Sequence, residues 1–332
     1  MRNYSIILLI LIFLTGNQLL KAQQFPVSSH YVFNNYSLDP GFAGLFANGE
    51  AYLNYRKEWA SFNGNPSTIR ANGFTQIRPG MFLGGELLND KVGIFNRFRV
   101  KLNYTYGVQL ADIQYLNFSV WGSLFQSSIN VDAINADPND PLTKDISKLN
   151  GTDVNAGFSL VYNRDKFTLG FGMPTLFRTK DAYSGGASGK FAFEQEILFH
   201  ISNRFLLAPD WHLQPFVMWS RTNNMPSIID ISATVFYMEK YWLTMLYRNS
   251  SMLAIGVGGE LYQGLTMAYT YEIGMRGING RLGGAHEISL GFRFGIKDEK
   301  AAKKTKGKKS NAFRRLDGNR PQPTEFEYRR TN

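Results

Sequence analysis

The chain has 332 residues, no cysteine and a formal net charge of +10, with 17 Tyr, 26 Phe, 5 Trp and 32 Gly. The missing cysteine excludes a disulfide scaffold and an acylated lipoprotein cysteine. The charge does not point to a nucleic-acid partner: residues 297–332 carry 12 Lys or Arg against 5 Asp or Glu, Arg2 and Lys21 lie in the leader, and the body between holds only about +1.

In chain order, Arg2, the apolar run Ile6 to Leu14 and the closing Leu20-Lys21-Ala22 read as a signal peptide over residues 1–22. No later stretch approaches the roughly 18 uninterrupted apolar residues of a membrane helix. Residues 23–49 are too aromatic for a free linker, with Phe25, Tyr31, Phe33, Tyr36, Phe42 and Phe46 around Asp39-Pro40-Gly41. They are expected to dock as a periplasmic or plug segment.

Residues 50–296 carry alternating patterns. From Arg99 to Leu110, Val100, Leu102, Tyr104, Tyr106, Val108 and Leu110 share one parity, and Arg99, Lys101, Asn103, Thr105, Gly107 and Gln109 the other. An extended strand sorts these onto an oily and a wet face, over the roughly 9 to 11 residues that a tilted strand needs to cross a bilayer. Similar segments are predicted near 50–58, 67–78, 80–89, 98–111, 113–126, 153–163, 166–174, 192–203, 212–221, 229–238, 240–248, 252–261, 263–274 and 285–296. Tight connections, such as Pro79-Gly80 and Tyr262-Gln263, alternate with longer ones, among them Asn89 to Arg97, Ser127 to Thr152 and Thr175 to Phe191. Arg204 to Trp211 is longer than this alternation wants, and Asn249 to Ser251 shorter.

The expectation is an all-β fold, an antiparallel transmembrane β-barrel of about 14 strands in the outer membrane of a Gram-negative cell, with both termini periplasmic. A soluble two-sheet protein would also alternate, but it would need a packed core for each oily face. Residues 297–332 form a basic tail read as disordered and periplasmic.

Chemistry is sparse. Four histidines, at 30, 200, 212 and 286, contain no H-x-x-x-H pair, so no zinc site, metal or other cofactor is expected. His200, inward by parity beside Glu196 and Ser202, is the one candidate hydrolytic dyad, and a satisfied lumen histidine is the competing reading. Asp137 to Asp145 offers acids without EF-hand spacing. Gly256 to Gly259 lies inside a strand pattern, and Lys306 to Ser310 lacks the strand-to-helix context of a phosphate loop. The chain is read as not an enzyme.

Phe25-Pro26, Tyr31-x-Phe33-Asn34, Asp39-Pro40-Gly41-Phe42-Ala43-Gly44 and Arg56-x2-Trp59-x2-Phe62-x-Gly64-x-Pro66-x-Thr68 together resemble the opening of the PorP/SprF outer-membrane family of the Bacteroidetes type IX secretion system. Asp39-Pro40-Gly41 stands where the family usually has Asn-Pro-Ala, and Glu58-Trp59 where it has Gln-Trp. The resemblance implies a component that helps secrete, and anchor at the cell surface, large cargo proteins recognised by a C-terminal domain, with links to gliding. It also implies a periplasmic OmpA-like or lipoprotein partner near peptidoglycan. The matched positions, carried over as binding candidates, are Tyr31, Phe33, Asn34, Pro40, Gly44, Arg56, Trp59, Pro66 and Thr68. A channel for small solutes is the alternative.

Overall fold

Along Phe95–Ala111 the residues that a soluble protein would bury are turned outward. Leu102 is 67% exposed, while its neighbours Lys101 and Asn103 are buried. The same inversion runs through Leu265–Gly274, where Thr266, Ala268, Thr270 and Glu272 are buried and Met267, Tyr269 and Tyr271 exposed. Such a sheet is stable only if its outside meets lipid rather than water. The computed structural model in which this is seen describes residues 28–59, 64–129, 151–178, 193–275 and 283–296.

The extended segments are β1 (Ala47–Lys57), β2 (Ser67–Arg78), β3 (Met81–Val92), β4 (Phe95–Ala111), β5 (Gln114–Ile129), β6 (Gly151–Arg164), β7 (Phe167–Thr175), β8 (Glu196–Asn203), β9 (Phe205–Ala208), β10 (Trp211–Thr222), β11 (Ile228–Tyr237), β12 (Tyr241–Arg248), β13 (Met252–Tyr262), β14 (Leu265–Gly274) and β15 (Ala285–Ile296). All pairings are antiparallel between neighbours, and β15 returns to β1 with Gly49 opposite Phe294 and Lys57 opposite His286. β8 and β9 are one strand interrupted at Arg204, both pairing with β10, so the closed ring has the fourteen strands expected.

Two connections differ from the expectation. Asn89 to Arg97 is not a long loop: β3 and β4 stay paired to Val92 and Phe95, leaving a turn of Gly93-Ile94 with Gly93 at φ 58°. Asn89, Asp90, Lys91, Asn96 and Arg97 have no apolar alternation to mark a strand. The backbone ladder carries them nonetheless, with inward Asp90 accepting a hydrogen bond from Thr68 at 2.8 Å. Arg204 to Trp211 is likewise mostly strand, its true turn being Pro209-Asp210 with Asp210 at φ 66°. This removes the exception on the short-turn side, where Met238-Glu239 and Gln263-Gly264 take the paired positive φ of tight hairpins. Asn249 to Ser251 remains short, and most of Ser127 to Thr152 and of Thr175 to Phe191 lies outside the described residues.

Leu102 stands near the middle of the longest strand. Leu102→Lys places an ammonium in hydrocarbon and is predicted to lower stability in lipid vesicles by about 2–4 kcal/mol. Urea unfolding checks this, and a loss under about 0.5 kcal/mol, the range of ordinary surface substitutions, would contradict a lipid-facing Leu102.

Candidate functional site

Pointing the oily parity outward leaves a polar lumen, and residues 28–46 occupy it. Their path is set by short local bonds. Asn34 caps the single helical turn Asn35–Leu38, its Oδ1 accepting from Ser37 N at 3.2 Å. Asp39 caps the following 3-10 turn Pro40–Phe42, accepting from Gly41 N at 2.7 Å, and Pro40 presets the turn's first φ. Gly44, at φ 77°, then redirects the chain into β1. A Cβ there would lie 1.9 Å from the Phe82 ring, so no side chain fits.

This segment is bonded around the ring. On one side, Glu287, 0% exposed, accepts from Ser29 N at 2.9 Å, Asn54 Nδ2 at 2.9 Å, Arg56 Nη1 at 3.3 Å and the Ser28 hydroxyl. Glu272 beside it accepts from the Ser29 hydroxyl and from both terminal nitrogens of Arg56. Further round, Tyr31 donates at 2.9 Å to Asp230, which Arg248 holds through two 2.8 Å bonds. Asp39 accepts from Ser159 and lies 2.9 Å from His200 Nε2. Tyr36 donates to Asn103, Asn117 donates to the carbonyls of Gly41 and Ala43, and Arg293 donates to the carbonyl of Phe33.

Apolar contacts fill between these bonds. Tyr31, Val32, Phe33 and Phe42 pack with Leu198, Phe216, Met218, Leu246 and Met252, and Tyr36 and Ala43 with Phe74 and Phe82. Burial raises the pKa of the Tyr31 and Tyr36 hydroxyls, so both remain donors. Burial also lowers that of His30 against the opposing pull of Glu287 and Glu272.

The sequence candidates fall into two places. Tyr31, Phe33, Asn34, Pro40 and Gly44 belong to the lumen segment: Asn34 donates to Asn72 at 2.9 Å, and the Pro40 carbonyl accepts from Thr105 at 3.1 Å. Arg56 joins them through Glu272 and Glu287. Trp59, Pro66 and Thr68 stand at the β1–β2 connection, where the Pro66 carbonyl accepts from Glu58 N at 2.9 Å and half-buried Trp59 sits at φ 50°. The acids Asp39, Asp230, Glu272 and Glu287 were not among the binding candidates. Asp39 is marked in sequence by the Asp39-Pro40-Gly41 motif, whereas the only signal of the other three is an acid on the inward parity, which for Glu272 and Glu287 gains meaning once β15 is paired with β1. His200 does face inward, but its partner is Asp39 rather than Glu196, which Ser220 engages at 2.7 Å. Wedged between the Phe42 and Phe216 rings and fully buried, His200 holds the segment in place. Asp137 to Asp145 and Lys306 to Ser310 lie outside the described residues.

A closed ring with a lipid-facing outside and an internally bonded lumen is an outer-membrane β-barrel. The chain belongs to the PorP/SprF family of type IX secretion system membrane proteins, which it matches over residues 20–292, and it resides in the outer membrane as a component of that secretion apparatus. Among solved structures it is similar in barrel fold to the P. putida toluene transporter TodX, at 11% identity and TM-score 0.47 over 77% of this chain and 92% of that one. It is also similar to the CymD monoaromatic hydrocarbon channel, at 9% and 0.48 over 81% and 94%. The translocator domain of the autotransporter NalP from Neisseria meningitidis aligns at 12% and 0.38 over 80% and 96%. No curated protein matches the chain.

Removing one partner of a buried ion cluster strands the others. Arg56→Met, which leaves Glu272 and Glu287 without their cation, is predicted to cost about 3–5 kcal/mol by urea unfolding, with partial recovery on adding Glu272→Gln and Glu287→Gln. No recovery would place the effect of Arg56 elsewhere. His30 gives a pH signature. Its folded pKa lies below the unfolded value of 6.5, so its contribution is complete above that pH and is lost as pH falls below it. His30→Gln is predicted to flatten the decline in melting temperature on acidification below pH 6.5, and an unchanged slope would count against a neutral buried His30.

Proposed function

We propose that this protein is a closed outer-membrane anchor within the type IX secretion apparatus, a barrel that holds large cargo at the cell surface rather than conducting it through its lumen. The observation that carries this reading is the lumen segment, bonded to β2, β4, β5, β6, β8, β11, β14 and β15. A barrel of this size, between the roughly 8-stranded barrels filled by side chains and the 16–18-stranded porins with open channels, would leak unless filled.

With the tight turns taken as the periplasmic side, both chain ends face the periplasm and the long connections face outward. The long connections then meet cargo through its C-terminal domain. The short-turn side and the basic tail 297–332 meet an OmpA-like or lipoprotein partner near peptidoglycan, the tail by screened charge attraction. Residues 1–22 serve as the export signal, and a link to gliding follows where the cargo is an adhesin.

The solute-channel alternative requires the segment to leave the lumen. Planar-bilayer recordings decide between them: the wild-type barrel is expected to show little conductance and a variant lacking residues 24–46 a clear pore. In cells, loss of the protein is expected to strip cargo from the surface with solute uptake unchanged. A wild-type barrel that conducts like an open porin, or cargo display that survives the deletion, would overturn the anchor.

A further inference from the structure

A cavity of about 160 Å³ lies between the lumen segment and the loop end of the barrel. Tyr31 and Leu38 form part of its floor, and Pro174, Met225 and Pro226 line it toward the long-connection end. Its two sides differ in kind. Phe125, Phe193, Leu198 and Met218 make one side mainly apolar, with the Glu196 carboxylate beside them accepting from Ser220 at 2.7 Å. The other carries Arg70, Arg99 and Lys101 around Glu86.

Arg99 takes Glu86 Oε1 through Nε and Nη2. Lys101 Nζ is left 3.6 Å from Oε2, beyond hydrogen-bond distance, and 5.9 Å from the centre of the Trp121 ring. Among the described residues this ammonium donates no hydrogen bond, although the residue is only 8% exposed and lines the cavity. An ammonium is a compact, strongly hydrated charge with three donors, and facing an apolar wall it favours an anion that can replace its water. The space sets the rest of the ligand, since a void of about 150 Å³ accepts a benzene ring.

We propose that this cavity binds a carboxylate attached to an apolar group about the size of one aromatic ring, with Lys101 holding the carboxylate and the side formed by Phe125, Phe193, Leu198 and Met218 holding the body. Two sources share that chemistry: a free aryl or alkyl carboxylate, and the C-terminal residue of a secreted chain entering from the loop end. The site does not depend on the anchoring reading, because a free carboxylate binds whether or not the barrel displays cargo.

Calorimetry on the full barrel in an uncharged detergent tests it with four probes: 3-phenylpropanoate, 3-phenylpropanamide, and the peptide Gly-Gly-Phe with a free or an amidated C-terminus. At least one carboxylate is expected to bind saturably and its amide about tenfold more weakly, the scale of one charged hydrogen bond. Lys101→Met is expected to weaken binding by a similar factor and Lys101→Arg to restore it. Ser123→Phe, which fills the chamber while keeping Lys101, is expected to abolish binding and guards against a Lys101→Met variant that does not fold. Tighter binding of the small acid assigns the first source, and tighter binding of the peptide the second. Equal binding of acid and amide, unchanged affinity in folded Lys101→Met, or no binding of either carboxylate overturns the proposal.

Discussion

Glu287 is a carboxylate completely withdrawn from solvent, and everything around it follows from the need to compensate that charge. An ion taken out of water costs several kcal/mol unless charge and hydrogen bonds replace the lost hydration. Here the replacement comes from two parts of the chain: Ser28 and Ser29 from the lumen segment, and Asn54 and Arg56 from β1. The same constraint recurs at Asp230 and at Asp39, each of which joins a barrel strand to the segment. Lipid outside dictates polar residues inside, and polar residues inside demand partners that only another piece of chain can supply.

The segment is therefore more than a cork of aromatic side chains. Its aromatic rings exclude water from the acids, and the acids fix the orientation of the rings. Fully bonded, such a network specifies one arrangement; partly bonded, it would be worse than an apolar filling. Holding His200 between Phe42 and Phe216 while its Nε2 meets Asp39 shows both effects at a single residue.

How much of this was legible beforehand depended on whether the controlling partner lay nearby in sequence. The alternation of Arg99 to Leu110 could be read directly, because lipid sorts side chains by parity within a single strand. The connections Asn89 to Arg97 and Arg204 to Trp211 look long in sequence, since their strand character comes from backbone pairing to a neighbour rather than from their own pattern. Tyr31, Phe33, Asn34, Pro40 and Gly44 stood out as a motif, but their contacts could not be seen because each partner is on a distant strand. Arg56 and Glu287 face each other only when β1 meets β15, and His200 finds Asp39 across 161 positions of sequence.

That separation bears on how the barrel is made. Ser28 and Glu287 are 259 residues apart, and Ser29 reaches Glu272 on the neighbouring strand. The earliest described residues of the chain can take their final positions only after its last hairpin has been added. Contacts of such span are slow to form. The seating of residues 28 and 29 is thus tied to ring closure: a barrel without β14 and β15 lacks the acids that hold its own beginning.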